Sequence, residues 1–189
     1  MKDSPNYRRK LNMHLILQIL MVPVLILIDQ LTKYLAASSL KSGGDLSLIK
    51  GLVNLHYLEN QGAAFGIFTG RFWLFYVITV VILILLTVFY CRIHKRLQSY
   101  CSDKTIIPDR KTIRNQLFLC DLLCLLASGA IGNFIDRILR GYVIDFISLQ
   151  FISFPVFNLA DIYVTISAVM IVIFFLFIYK EDRNFHLWG

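Results

Sequence analysis

Charge is what this chain has least of. Only 16% of its 189 residues are Asp, Glu, Lys or Arg, and 57% are hydrophobic. An ordinary soluble domain carries about 25% charged and about 45–50% apolar residues. The balance excludes a disordered chain and a typical cytosolic enzyme. Cysteine is sparse too: Cys91, Cys101, Cys120 and Cys124 form no CxxC, and no two histidines stand at metal-ligand spacing. A disulfide-stapled secreted domain and a zinc site are therefore not expected, and neither a metal nor a cofactor is. Cys120 and Cys124, four apart in an apolar run, read as small hydrophobes.

What is present is apolar sequence in four long blocks. A spanning helix needs about 20 predominantly apolar residues and satisfies its backbone internally. Residues 11–36, 72–91, 117–135 and 158–179 meet that requirement, so residues 1–189 are expected to form one integral membrane domain. The first block is longer than a cleaved signal peptide's apolar core, and Asp29 and Lys33 precede any small-residue cleavage site, so it reads as a retained helix.

The net charge of +7 arises from 19 Lys and Arg against 12 Asp and Glu. No basic stripe carries interleaved aromatics, so a nucleic-acid partner is not expected. The positive charges sort by segment instead. Thirteen lie in the N-terminal tail, the 92–116 segment and the C-terminal tail, against five in the other two connections. The positive-inside rule then puts both termini and the 92–116 segment in the cytoplasm. That segment reads as a polar, mobile loop, with Pro108 opposing a continuous helix. The two charge-poor connections contain strand-like runs, at 52–58 and 141–147, that predict a small sheet on the membrane surface.

Ionisable residues at membrane depth are costly and so are functional candidates. Asp29 and Lys33 are spaced i, i+4 with the acid first, as a structural ion pair on the first helix. Asp121, His14 and His56 read as interfacial or loop residues. Asp161 follows Asn158, a plausible N-cap, and an acid in the first turn gains from the helix dipole. Asp145 has no such explanation: it interrupts the apolar run Val143-Ile144-Asp145-Phe146-Ile147. Two carboxylates brought together share a proton. The ionised one can then take a proton from water while the protonated one polarises an amide. Asn133 and Asn158 could hold such a pair without adding charge, and Arg137 could set a positive charge nearby. Asp136 reads as a structural partner. The small residues Gly62, Ala63 and Ala64 permit close backbone approach.

Five words occur in order: Asp29-Gln30-Leu31-Thr32-Lys33, Asn60-Gln61-Gly62-Ala63-Ala64-Phe65, the Gly129–Arg137 run, Val143-Ile144-Asp145-Phe146, and Phe157-Asn158-Leu159-Ala160-Asp161. Together they closely resemble the lipoprotein signal peptidases, or signal peptidase II. The resemblance implies an all-α membrane protein of four transmembrane helices, with a small extracytoplasmic β-sheet, or cradle, and a short lid-like helix. It implies an aspartic endopeptidase of the bacterial cytoplasmic membrane that removes signal peptides from prolipoproteins, cutting before an S-diacylglyceryl cysteine. Asp145 and Asp161 match its catalytic pair. Asn60, Gly62, Ala64, Gly129, Asn133, Arg137, Asn158 and Ala160 match residues that shape the site or bind substrate. Diacylglyceryl-modified prolipoproteins, membrane lipids and globomycin-type inhibitors are the implied partners. The competing readings are a small proton-coupled transporter, which would spread ionisable residues through the bilayer depth, and a non-enzymatic membrane scaffold.

Overall fold

The computed structural model describes residues 4–62, 72–102 and 110–179. Four long helices dominate: α1 (Ser4–Gly43), α2 (Phe72–Ser102), α3 (Arg110–Arg140) and α4 (Leu159–Ile173), the last continuing as a π-helical segment, Phe174–Tyr179. Strands β1 (Leu46–Ile49), β2 (Val53–Asn60) and β3 (Val143–Leu149) form one antiparallel sheet in that order. All four helices are long and apolar enough to cross a bilayer. Their exposed surface is correspondingly rich in large apolar side chains such as Leu20, Leu27, Leu85 and Phe177. Such faces suit lipid and would be an aggregation surface in water. The architecture is the all-α membrane fold with a small sheet that the sequence predicts. The expectation of a short lid-like helix falls outside the described residues.

Helices α1 and α3 outrun their apolar blocks at both ends, and α2 outruns its block at the C-terminal end. At about 1.5 Å per residue, the 40 residues of α1 reach about twice the roughly 30 Å hydrocarbon thickness. Only the segment in hydrocarbon must be apolar, so composition marks the span rather than the helix. The same reason corrects the reading of 92–116. Its described residues are helical and not a polar loop: α2 continues to Ser102 and α3 starts at Arg110, with Pro108 outside the described residues. Ile93 and Leu97, one turn apart, are buried with Leu11, Leu119, Cys120, Leu123 and Phe174 in a core at the basic end of the bundle. A stripe with that spacing gives a charged helix a face to bury.

Helix α3 packs against all three other helices. Two glycines let its neighbours approach. A Cβ on Gly129 would stand 2.5 Å from the Ala160 carbonyl oxygen of α4, and one on Gly132 would stand 2.5 Å from Asp29 Oδ2 of α1. At the opposite end of the bundle from the basic core, the sheet lies against the last turns of α1. There Ala36 and Leu40 pack with Ile144 and Phe146. Asp121, in the half of α3 nearer the basic end, accepts from Gln18 Nε2 at 2.8 Å and lies 3.1 Å from His14 Nε2. That acid therefore has partners on α1 that its sequence position does not reveal.

Candidate active site

Where α3 and α1 reach the sheet and α4 begins, the polar side chains form one connected network. Its base is a buried ion cluster. Lys33 Nζ lies 2.9 Å from Asp29 Oδ2 and 3.1 Å from Asp136 Oδ2, with all three side chains fully buried. Arg140 contacts the other Asp136 oxygen, so two acids face two cations. Balance of this kind is what makes such burial tolerable. Asp29 Oδ1 also accepts the Ala160 N–H of α4 at 2.9 Å, and Asp136 Oδ2 accepts the Ile144 N–H of β3 at 3.2 Å. Gln30 Nε2 reaches Asp29, Asp136 and the Gly132 carbonyl. The expected i, i+4 pair is thus the centre of a clamp on four elements.

Three asparagines stand above it. An asparagine has an acceptor end and a donor end, and whichever partner is obligatory decides how it faces. Lys33 can only donate, and it holds Asn133 Oδ1 at 2.9 Å, which turns Asn133 Nδ2 onto Asp161 Oδ1 at 2.7 Å. Asn158 is the N-cap of α4, in extended backbone conformation, and its Oδ1 accepts the Asp161 N–H at 3.0 Å. Its Nδ2 therefore faces Asp145 Oδ1, at 2.6 Å. Asn60 Oδ1 accepts the Gly62 N–H at 3.0 Å, and its Nδ2 donates to Asp145 Oδ2 at 2.8 Å. Each amide oxygen is held by a group that can only donate, so each amide nitrogen meets a carboxylate.

Asp161 completes a capping box, its Oδ2 accepting the Asn158 N–H at 3.2 Å. Asn158 thus ties the two acids together, its side chain on Asp145 and its backbone on Asp161. Asp145 is 1% exposed. Burial pushes its carboxyl from 3.8 up to about 6. The charge of Asp161 adds to the rise, and the amides of Asn60 and Asn158 and the charge of Lys33 oppose it.

The sheet aims Asn60 by an irregularity. Leu55 pairs with Ile147, so regular alternation would put Asn60 on the face away from Asp145. The register shifts between Leu55 and Leu58, which brings Leu58 opposite Asp145 and Asn60 opposite Val143. A bulge of this kind adds one residue and reverses the alternation beyond it.

Asp145, Asp161, Asn60, Asn133, Asn158, Asp29 and Lys33 thus meet in one network, and Gly62 joins it through its N–H. Gly129 and Ala160 lie behind it, at the contact of α3 with α4. Arg137 is one turn from Asn133, with its guanidinium 4.8 Å from the Phe75 ring centroid. Ala64 lies outside the described residues. Sequence reasoning missed Gln30 and Gly132 as members. Both stand inside those five words, but Gln30 is uncharged and Gly132 contributes only space and a backbone carbonyl.

Residues 21–177 match the family described as signal peptidase (SPase) II, peptidase family A8. This chain belongs to that family. The residues of the network, Asp29 to Asp161, all fall inside the match. The lipoprotein signal peptidase of Staphylococcus aureus (strain JH9) is 36% identical over 168 residues, covering 88% of this chain and 90% of that protein. The lipoprotein signal peptidase of strain Newman matches to the same extent. A bacterial membrane enzyme determined by the in meso method at 2.3 Å resolution is similar with a TM-score of 0.70 and 33% identity, covering 89% of this chain and 93% of its own. Another such structure, at 1.9 Å, gives a TM-score of 0.65 and 34% identity, covering 85% and 92%. The likeness to membrane enzymes agrees with the four helices of this chain that are long and apolar enough to cross a bilayer.

Proposed function

We propose that this signal peptidase II chain is an aspartic endopeptidase of the bacterial cytoplasmic membrane. It removes signal peptides from prolipoproteins by cutting before the diacylglyceryl cysteine, with Asp145 and Asp161 as its catalytic pair. The observation that carries this is the coupling of two carboxylates through Asn158, one of them fully buried and the other at a helix start. Family membership supplies the substrate class.

Asp145 takes the part of the acid, because its burial favours the neutral form. Asp161, in the first turn of α4 and facing two donors, takes the part of the base. Water attacks the scissile carbonyl carbon and gives a proton to Asp161, while Asp145 gives its proton to the carbonyl oxygen. The resulting gem-diol collapses: its C–N bond breaks, the proton on Asp161 goes to the leaving amine, and Asp145 is reprotonated by the diol hydroxyl. Each acid ends in its starting state. The asparagine amides hold the carboxylates still without contributing a competing charge.

The distribution of basic residues supports an orientation in which the sheet and the acids lie at the outer face and both termini are cytoplasmic. A signal peptide and its two acyl chains would then reach the pair sideways from the lipid. Globomycin-type cyclic peptides are the expected inhibitors.

The test is cleavage of a diacylglyceryl-modified precursor by purified protein in lipid. Asp145→Asn and Asp161→Asn should each lower turnover by at least about 100-fold, the usual scale for a lost acid–base group. Asp136→Asn should retain turnover in folded protein. Full activity in either of the first two variants removes the assignment.

A further inference from the structure

The sheet end carries an apolar tip that neither the catalytic network nor the helix packing uses. The turn between β1 and β2 presents Leu48, Ile49 and Leu52, and the connection after β3 presents Phe151, Ile152 and Phe154. All six are 48–62% exposed. They share one end of the sheet, because Val53 pairs with Leu149 and the Gln150 N–H donates to the Leu52 carbonyl at 2.9 Å. Gly51, with φ of 75°, and the Leu52 N–H to Ile49 carbonyl bond of 2.9 Å close the turn. The Phe157 backbone returns to Ile147, so the second segment is a folded loop.

A turn facing water is ordinarily built from polar residues. Here Lys50 is the only charged residue from Leu46 to Val53, and there is none from Leu149 to Phe157. The tip also continues an established apolar surface. The sheet packs on Ala36 and Leu40, and the neighbouring turns of α1 expose Leu31, Tyr34 and Leu35. That side of α1 belongs to a membrane span. A single lysine on a flexible stem fits an interface, since its alkyl part can lie in the apolar layer while its ammonium reaches water.

We propose that the paired tip of Leu48, Ile49, Leu52, Phe151, Ile152 and Phe154 inserts into the bilayer leaflet on the sheet's side, at the boundary between headgroups and acyl chains. The sheet is then held at two places, by α1 through its packed face and by lipid through its tip. Asp145 lies in the strand between those anchors, so the lipid contact sets the depth of the acid without touching it. This inference is independent of the peptidase reading and stands on exposure, register and charge.

Nitroxide labels placed by Leu48→Cys and by Ile152→Cys test it, each in a protein whose native cysteines are alanine, reconstituted in phosphatidylcholine vesicles. Leu85→Cys, on the exposed face of α2, is the lipid reference and reports that the fold is intact. Collisions with dissolved oxygen should exceed those with a water-soluble nickel chelate at both tip positions, as at the reference. Nickel collisions dominating at the two tip positions, with oxygen dominating at the reference, would overturn the proposal. Low collision with both reagents together with spin–spin broadening would overturn it as well, since it would show a second copy covering the tip.

Discussion

Asn133, Asn158 and Asn60 each place an amide nitrogen on a carboxylate, and what orients them lies one residue further away. For Asn133 that residue is Lys33, whose ammonium cannot accept and so fixes the amide oxygen. Asn133→Asp should keep the contact with Lys33 while turning an oxygen onto Asp161. A hydrogen bond to a charged group contributes about 1.5–3 kcal/mol, so kcat should fall by about 10- to 100-fold with KM held, read from steady-state cleavage. Asp145 gives a second expectation. Its folded carboxyl titrates near 6 against 3.8 for the unfolded chain, so folding takes up a proton between those values. Its stability contribution is complete below the unfolded value and is lost as pH rises through about 6. The shift corresponds to up to about 3 kcal/mol. Thermal unfolding from pH 4 to pH 8 should therefore show Asp145→Asn gaining stability relative to the parent as pH rises. Equal pH dependence in the two proteins would refute this.

At the scale of elements, the site depends on close approach. Helix α4 starts beside α1 because Asp29 accepts the Ala160 N–H, and beside α3 because Gly129 leaves no side chain between them. Gly132 makes the same room for the ion cluster. Gly132→Ala should overpack it and destabilise the protein by about 1–3 kcal/mol, seen as a lower Tm in detergent. Gly43→Ala is the contrast: a Cβ there meets nothing within 4 Å, and its effect should stay within about 0.5 kcal/mol. The bulge in β2 is another such device. Without it Asn60 would face away from Asp145, though every residue of the strand were unchanged.

At the scale of the molecule, one end of the bundle is basic and closed by an apolar core, and the other carries the sheet and the acids. This polarity matches the thirteen-to-five division of basic residues between the two sets of chain segments. Reporter fusions at residue 105 and at either terminus should give a cytoplasmic signal, and insertion at residue 50 the opposite one. Inverted signals would place the acids on the wrong side for a substrate translocated across the membrane.

The sequence by itself determined the membrane class, the four apolar spans and the strand runs, because these follow from composition and local period. It also contained Asp145 as an anomaly, since a carboxylate in an apolar strand contradicts its surroundings. It showed Asp29 and Lys33 as a pair because one turn of helix separates them. Only the tertiary structure decided that this pair is clamped by Asp136 and Arg140 and orients Asn133, since those partners lie about a hundred residues away in the chain. It also decided that the basic 92–116 segment is mostly helix, and that a bulge turns Asn60 to the acid. Local pattern records what a residue prefers. Which end of the Asn133 amide is occupied is set by the lysine that the packing of α1 on α3 brings within 3 Å of it.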